Sequence, residues 1–304
     1  ARPIQGLVII FKNTTIALRT NYGSNQIQGT NGTFTFYNNI FTGDSGKFDW
    51  SSVGISPAAL YCEFKEYNFN VKSPTLKIDS VVLHYPEVVD YPVEGIFEFQ
   101  SKRYLNPLKA QYPRFMSYSN DIKIKNFGKN MIYKGGMALI YKGGLALAGN
   151  RMNSSSVTGG LCEMSFLRKN KLMFRLLAKK FELGDSLIAS KNTYFVLYQY
   201  EDSLMDGNRV VFQRKDSIVH PKVKLKYNKN TAMLKLITGG SQSKHTAFSD
   251  SYHNIDIRAE FLKWDLKTLH VNFSIITAKH KVPAFFESRE HYDPVRYKQM
   301  QGIL

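Results

Sequence analysis

Gly29-Thr30-Asn31-Gly32-Thr33-Phe34 and, 14 residues further on, Gly43-Asp44-Ser45-Gly46-Lys47-Phe48 share the pattern G-x-x-G-[TK]-F. Each copy runs into alternating apolar and polar residues, Thr33 to Tyr37 in the first and Lys47 to Trp50 in the second. Gly, Asn and Asp tolerate the positive φ of tight turns, and aromatic residues at every second position suit a half-buried strand. The repeat is therefore expected to mark corners between short strands. The second copy also spells the Gly-Asp-Ser-Gly that surrounds the nucleophile of chymotrypsin-like proteases. That chemistry takes its residues in the chain order His, Asp, Ser, and the first histidine here is His84, after Ser45. Nor is Gly46-Lys47 a phosphate loop: Phe48 stands where Ser or Thr is required, and no Gly lies five residues before Gly46.

Working outward, Leu7 to Phe11, Thr15 to Arg19, Tyr67 to Val71, Lys77 to Leu83 and Gly95 to Phe99 are further short β-rich runs separated by Gly, Asn, Ser or Pro. A second repeat, Tyr133-Lys134-Gly135-Gly136-Met137-Ala138-Leu139-Ile140 and then Tyr141-Lys142-Gly143-Gly144-Leu145-Ala146-Leu147-Ala148, sets Gly-Gly before each of two apolar segments. No G-x-G-x-x-G opening a helix accompanies it, so it is read as β-arches or a hairpin pair and not as a nucleotide cradle. Residues 101–120 carry two prolines and little alternation, and are expected to run over the surface at a boundary.

Beyond them, Leu172 to Leu183, Tyr194 to Tyr200, Arg209 to Gln213, Val223 to Tyr227, Thr231 to Ile237, Ile255 to Trp264 and Leu269 to Ile276 suggest longer antiparallel strands. Asp293 to Gly302 has a helix signature, with Asp as N-cap, Pro at the first position and Gly at the end. The expected fold is all-β. A stacked β-repeat, either a solenoid or a curled open sheet, spans residues 1–105. An antiparallel β-meander spans 106–304, with the Gly-Gly repeats at 133–148 and one short C-terminal helix.

The chain has 304 residues, 43% hydrophobic and 13% aromatic, enough for a sizeable core. Mean hydropathy is −0.29, and no apolar run approaches the 18 or so residues of a membrane-spanning helix. The start at Ala1 without Met is read as the sign of a processed or excised chain. Forty-one Lys and Arg against 24 Asp and Glu give a net charge of +17, which attracts polyanions: acidic glycans, anionic membrane surfaces or nucleic acid. Much of that charge alternates with apolar residues, as in Lys222-Val223-Lys224-Leu225-Lys226-Tyr227, the pattern of a strand with a solvated lysine face. Cys62 and Cys162 fit either one long-range disulfide or two buried thiols. Asn13, Asn31, Asn153 and Asn272 each begin an N-x-[ST] sequon.

Three clusters carry candidate chemistry. His245, Asp250 and His253, with Asp256 nearby, are the densest set of potential metal ligands, although their spacing matches no standard zinc site. Glu287, Arg289, Glu290 and His291 mix acids and bases; paired carboxylates hydrolyse glycosides, while salt-bridged surface residues have the same spacing. Gly239 to Lys244 forms either an anion-binding nest or a hairpin loop. His220-Pro221 reads as a structural turn into a strand.

Several stretches carry a resemblance. Asp216-Ser217-Ile218-Val219-His220-Pro221, Phe261-Leu262-Lys263-Trp264-Asp265, Ala284-Phe285-Phe286-Glu287-Ser288 and Arg296 to Ile303 in the second half, with Lys47 to Trp50 and Gly95 to Phe99 in the first, resemble segments of very large Bacteroidota proteins. In texture the chain is also similar to the glycine-punctuated β-repeats of AsmA/TamB-type envelope proteins. That similarity implies a curled sheet with an apolar channel conducting lipid between membranes, although the bulky aromatics and interrupting charges of this chain depart from it. The expected function is thus a non-enzymatic structural or binding segment of a bacterial cell-envelope protein, in the periplasm or at the cell surface, with lipid or anionic glycan as ligand. It would continue into neighbouring β-repeats, with no cofactor and no catalytic residue assigned. The alternatives are a carbohydrate-active enzyme on a β-helix-like scaffold and a nucleic-acid-binding β protein.

Overall fold

The computed structural model describes residues 6–20, 23–100, 112–124, 137–169, 171–200, 204–206, 209–211, 214–238, 246–251, 253–268, 270–276, 281–290 and 300–301. Their regular structure is β, apart from one short 3-10 turn at Ser51–Val53. The chain divides into two compact units, residues 1–125 with 142–160 and residues 126–141 with 161–304.

Unit 1 contains β1 (Val8–Thr20), β2 (Gly23–Thr35), β3 (Ile40–Gly43), β4 (Gly46–Asp49), β5 (Tyr61–Phe64), β6 (Tyr67–Asn70), β7 (Thr75–His84), β8 (Val93–Gln100), β9 (Arg114–Ser117) and β10 (Ile122–Lys123). It also holds the end of β11 (Met137–Gly143), then β12 (Ala146–Ala148) and β13 (Arg151–Asn153). Neighbours in sequence are mostly neighbours in the sheet, and the strand pairs are antiparallel. A solenoid would instead stack successive coils in parallel. The two GxxG copies explain the difference: Gly32 of the first pairs with Gly43 of the second across β2 and β3, so the copies face each other and do not repeat along an axis.

What the copies build is a crease. Along β7, Leu76 and Ile78 are buried, Asp79 and Ser80 are exposed, and Val81 and Leu83 are buried again. Side chains alternate with a period of two, so one extra residue reverses the face. The pair Asp79-Ser80 sits opposite a single residue of β8, a bulge that restores Val81 and Leu83 to the inner face. The same device recurs at Lys12-Asn13 in β1, Gln28-Gly29 in β2, Asp44-Ser45 between β3 and β4, and Lys65-Glu66 between β5 and β6. Register sets these pairs side by side, since Gly43 and Gly46 face Tyr67 and Phe64, and Phe64 faces Val81.

Positive φ is needed at Gly29 (64°) and is adopted by Asn13 (44°). Gly43 and Gly46 serve a different need from the one the sequence suggested. A Cβ on Gly43 would lie 2.5 Å from the Tyr67 ring, and one on Gly46 would lie 2.6 Å from Ile27 Cγ2. Hydrogen bonds close the crease: Asn13 N–H donates to Asn31 Oδ1 (2.8 Å), Asp44 N–H to Asn31 O (3.1 Å), and Ser45 Oγ to Gly29 O (3.1 Å). The Ser45 hydroxyl thus holds backbone. Fully buried Thr30 donates to Ser45 O and hydrogen-bonds the Tyr67 hydroxyl.

In unit 1 the Phe48 ring lies 4.8 Å from Phe97 and 5.8 Å from Trp50, an aromatic core joined by Phe64, Leu83 and Cys62. Burial, with Asp49 and Glu63 adding to it, pushes the Cys62 thiol well up. Cys62 and Cys162 are both buried and free, which decides the disulfide question. Since the thiolate is the reactive species, a thiol reagent is expected to label Cys62 only after denaturation. Rapid labelling of the native chain at Cys62, read by mass spectrometry of its peptide, would contradict this burial.

Unit 2 contains β14 (Cys162–Arg168), β15 (Lys171–Ala178), β16 (Glu182–Leu183), β17 (Leu187–Tyr200), β18 (Leu204–Asp206), β19 (Arg209–Val211), β20 (Arg214–Asn228) and β21 (Met233–Ile237). Then come β22 (Phe248–Asp250), β23 (Ile255–Arg258), β24 (Phe261–Asp265), β25 (Val271–Ile276), β26 (Lys281–Pro283), β27 (Phe285–Ser288) and β28 (Met300–Gln301). Long β17 and β20 pair along their length, and each continues into two shorter partners, β15 and β16 on one side and β22 and β21 on the other. As expected, Val223, Leu225 and Tyr227 point inward and Lys222, Lys224 and Lys226 outward. Phe166, Phe174 and Trp264 form its aromatic centre, with Phe174 5.2 Å from Phe166 and 5.6 Å from Trp264.

Three expectations need revision. Arg114–Ser117 pairs with β8 and β12, so the expected surface excursion holds a strand, while residues 101–111 lie outside the described residues. Of the Gly-Gly repeats, residues 133–136 lie outside them too, while Gly143 ends β11 and Gly144 with Leu145 separates it from β12. Met300 and Gln301 are not helical: they pair with Phe286 and Phe285 at the edge of β27, which satisfies their backbone groups there. Residues 291–299, where the helix signature begins, lie outside the described residues.

Candidate functional sites

The sequence-derived candidates come together only in part. Asp250 is fully buried; its Oδ2 lies 3.0 Å from His253 Nδ1 and its Oδ1 accepts the His253 N–H at 3.2 Å. This pair caps the turn between β22 and β23. His245 lies outside the described residues, as does the nest candidate Gly239 to Lys244. Among the described residues no three metal-ligating side chains converge. Glu287 pairs with Arg258 (2.9 Å) and Asp256 with Arg289, tying β23 to β27 as a surface ion-pair ladder. Both carboxylates are held by guanidinium groups, an arrangement suited to sheet pairing and not to protonating a leaving group. His291 lies outside the described residues.

His220 is structural, but it lies inside β20 and not in a turn entering a strand as its sequence suggested. It is fully buried, its Nδ1 accepts the Lys222 N–H (3.1 Å), and its Nε2 therefore carries the proton and donates to Thr246 O (3.1 Å). Burial lowers its pKa, which favours this neutral ring.

Two concave sites stand out, one in each unit, and neither was visible in the sequence. In unit 1 a groove of about 520 Å³ lies along β1, lined by residues of both its faces. The bulge at Lys12-Asn13 keeps Phe11, Thr14, Ile16 and Leu18 on one face, each half-buried. Opposite them stand Phe34, Phe41 and Phe69, with Leu76 and Phe99 from β7 and β8. Arg19, at one end of the β1 run, is the only charged residue lining the groove among the described residues.

In unit 2 a pocket of about 580 Å³ lies where β15, β17 and β20 bend. Its walls carry Lys179, Lys180, Lys191 and Lys222 against one carboxylate, Glu182. Both volumes fall within the 300–1,000 Å³ or so typical of small-molecule sites. Comparison of the chain with protein-family models, curated proteins and solved structures finds no match.

Proposed function

We propose that the chain is a non-enzymatic binding segment of a bacterial cell-envelope protein, and that the unit 1 groove holds the acyl chain of a lipid. One observation carries this reading: a groove of about 520 Å³ is lined by half-buried apolar side chains of β1 and by aromatic rings, and Arg19 is the one charged residue that lines it among the described residues. Protein interiors ordinarily close such gaps, because unfilled apolar space forfeits dispersion contacts. An acyl chain supplies those contacts and removes the apolar walls from water, while Arg19 is placed to meet a carboxylate or phosphate head. Envelope placement is supported by the resemblance to Bacteroidota and AsmA/TamB-type proteins.

Titration with a fluorescent long-chain fatty acid tests the reading. The chain is expected to bind saturably, and Ile16→Asp to weaken binding by about tenfold or more, since a carboxylate would be buried against the ligand. Arg19→Gln should cost only a few-fold. Ile16 is half-buried, so the variant is expected to keep its fold, which a thermal melt verifies. Absence of saturable binding, or equal affinity in Ile16→Asp, would refute the assignment.

A further inference from the structure

The basic pocket of unit 2 is a second site with chemistry of its own. Three exposed pairs interrupt the burial alternation there: Lys179-Lys180 after β15, Lys191-Asn192 within β17 and Pro221-Lys222 within β20. Each is flanked by buried residues, Ala178 and Phe181, Ser190 and Thr193, and His220 and Val223. Register shifts in the β17–β20 ladder fall at the second and third pairs, and the β15–β17 ladder ends at Ala178 and Thr193, beside the first. This is the device that creases unit 1, where the outward pairs carry two lysines and three carboxylates. A crease thus requires outward polar residues but not positive ones. In unit 2 the three pairs carry four lysines and no carboxylate, and all four lysines line one cavity.

The fold holds these residues in place. His220 accepts the backbone N–H of Lys222 and fixes the bulge from below. Ser190, 8% exposed, lines the cavity and places its hydroxyl at the wall. The walls are not only cationic: Tyr194 of β17 is 40% exposed and Leu161 58% exposed, both lining the pocket. A small inorganic anion would leave these surfaces uncovered.

We infer that the pocket binds an acidic saccharide, its apolar ring face on Tyr194 and Leu161, its anionic groups among the lysines, and a ring hydroxyl on Ser190. Single-stranded nucleic acid, by contrast, is bound along a basic groove with several aromatic platforms in succession; among the described residues this pocket is lined by one aromatic ring, Tyr194.

The test is calorimetric titration of the full chain, at low salt, with trigalacturonate, the neutral maltotriose, inorganic phosphate and a short single-stranded oligothymidylate. Trigalacturonate is expected to bind saturably, at least about tenfold more tightly than maltotriose and than phosphate, with affinity falling as salt rises. Lys191→Gln with Lys222→Gln is expected to weaken it by about tenfold or more, and Tyr194→Ala by several-fold. These side chains are exposed, so the variants should melt as the parent does; if that pair does not, Lys179→Gln with Lys180→Gln replaces it.

No binding of trigalacturonate, or binding unchanged in the lysine variant, overturns the inference. So does phosphate binding as tightly with no effect of Tyr194→Ala, or oligothymidylate binding more tightly than the sugar. Ile16→Asp, which disables the unit 1 groove, is expected to leave trigalacturonate binding unchanged, so the two assignments fail separately.

Discussion

Deletion of Ser80 is expected to unfold unit 1. Without it, Asp79 alone separates Ile78 from Val81, the bulge against β8 is lost, and every residue of β7 beyond it changes face. Val81 and Leu83, 1% and 0% exposed, would turn to solvent while Val82 and His84 turned into an aromatic core. Losing two fully buried aliphatic side chains costs about 3–6 kcal/mol in transfer free energy, before counting the polar His84 driven inward. Domains of this kind have about 5–15 kcal/mol in total. Circular dichroism and denaturant titration of the deletion variant should therefore show loss of the unit 1 transition. Replacing Asp79-Ser80 by Asn-Gly, which keeps the count of two, should change stability by well under about 1 kcal/mol if the pair acts through number and not identity. Equal stability of the deletion variant would show that β7 carries no such phase correction.

In unit 2 the largest expected single-site loss is at Trp264→Ala. Trp264 is 2% exposed, its ring packs on Phe166 and Phe174, and its indole N–H donates to Thr268 O at 3.1 Å in the turn between β24 and β25. Truncation opens a cavity between strands that are not adjacent in sequence and leaves Thr268 O without its partner, a cost of about 3–5 kcal/mol. Chemical denaturation monitored by far-ultraviolet circular dichroism reads it, and a loss below about 1 kcal/mol would mean that the aromatic centre repacks around the gap. Trp264→Phe, keeping most of the ring, should recover much of the loss.

How much of this was legible in advance differs from element to element. The alternation of Val223 to Tyr227 or of Gly95 to Phe99 fixes a half-buried strand from local residues alone, and those strands formed where periodicity put them. The β-rich runs Leu7 to Phe11 and Thr15 to Arg19 looked like two strands because Lys12 and Asn13 break the period; in the fold they are one, β1, with a bulge at the break. The same ambiguity hid β3, where Gly43-Asp44-Ser45-Gly46 reads as a corner although the chain continues along β2 on both sides of it. A phase slip and a chain reversal leave the same mark in a single sequence, two polar residues between apolar ones. Only the partner strand distinguishes them.

The binding sites were less accessible still. Lys179, Lys191 and Lys222 are scattered over more than 40 positions, and nothing local separates them from the lysines of a solvated strand face. Their shared feature, a place in an exposed pair flanked by buried residues, becomes meaningful once β15, β17 and β20 lie side by side. His245, Asp250 and His253 present the converse: closeness in sequence suggested a shared ion, and Asp250 with His253 instead satisfies a turn.

The succession of strands in unit 1 bears on how its chain finds its fold. From β1 through β9 most strands lie against one that precedes them closely, as β2 on β1, β3 and β4 on β2, and β8 on β7, while β6 reaches back to β3. Most docking steps then close only a short loop, and loop closure is the entropic toll that slows most sheet proteins. A nascent chain can therefore add strands one after another as it emerges, with the growing edge serving as template for the next arrival.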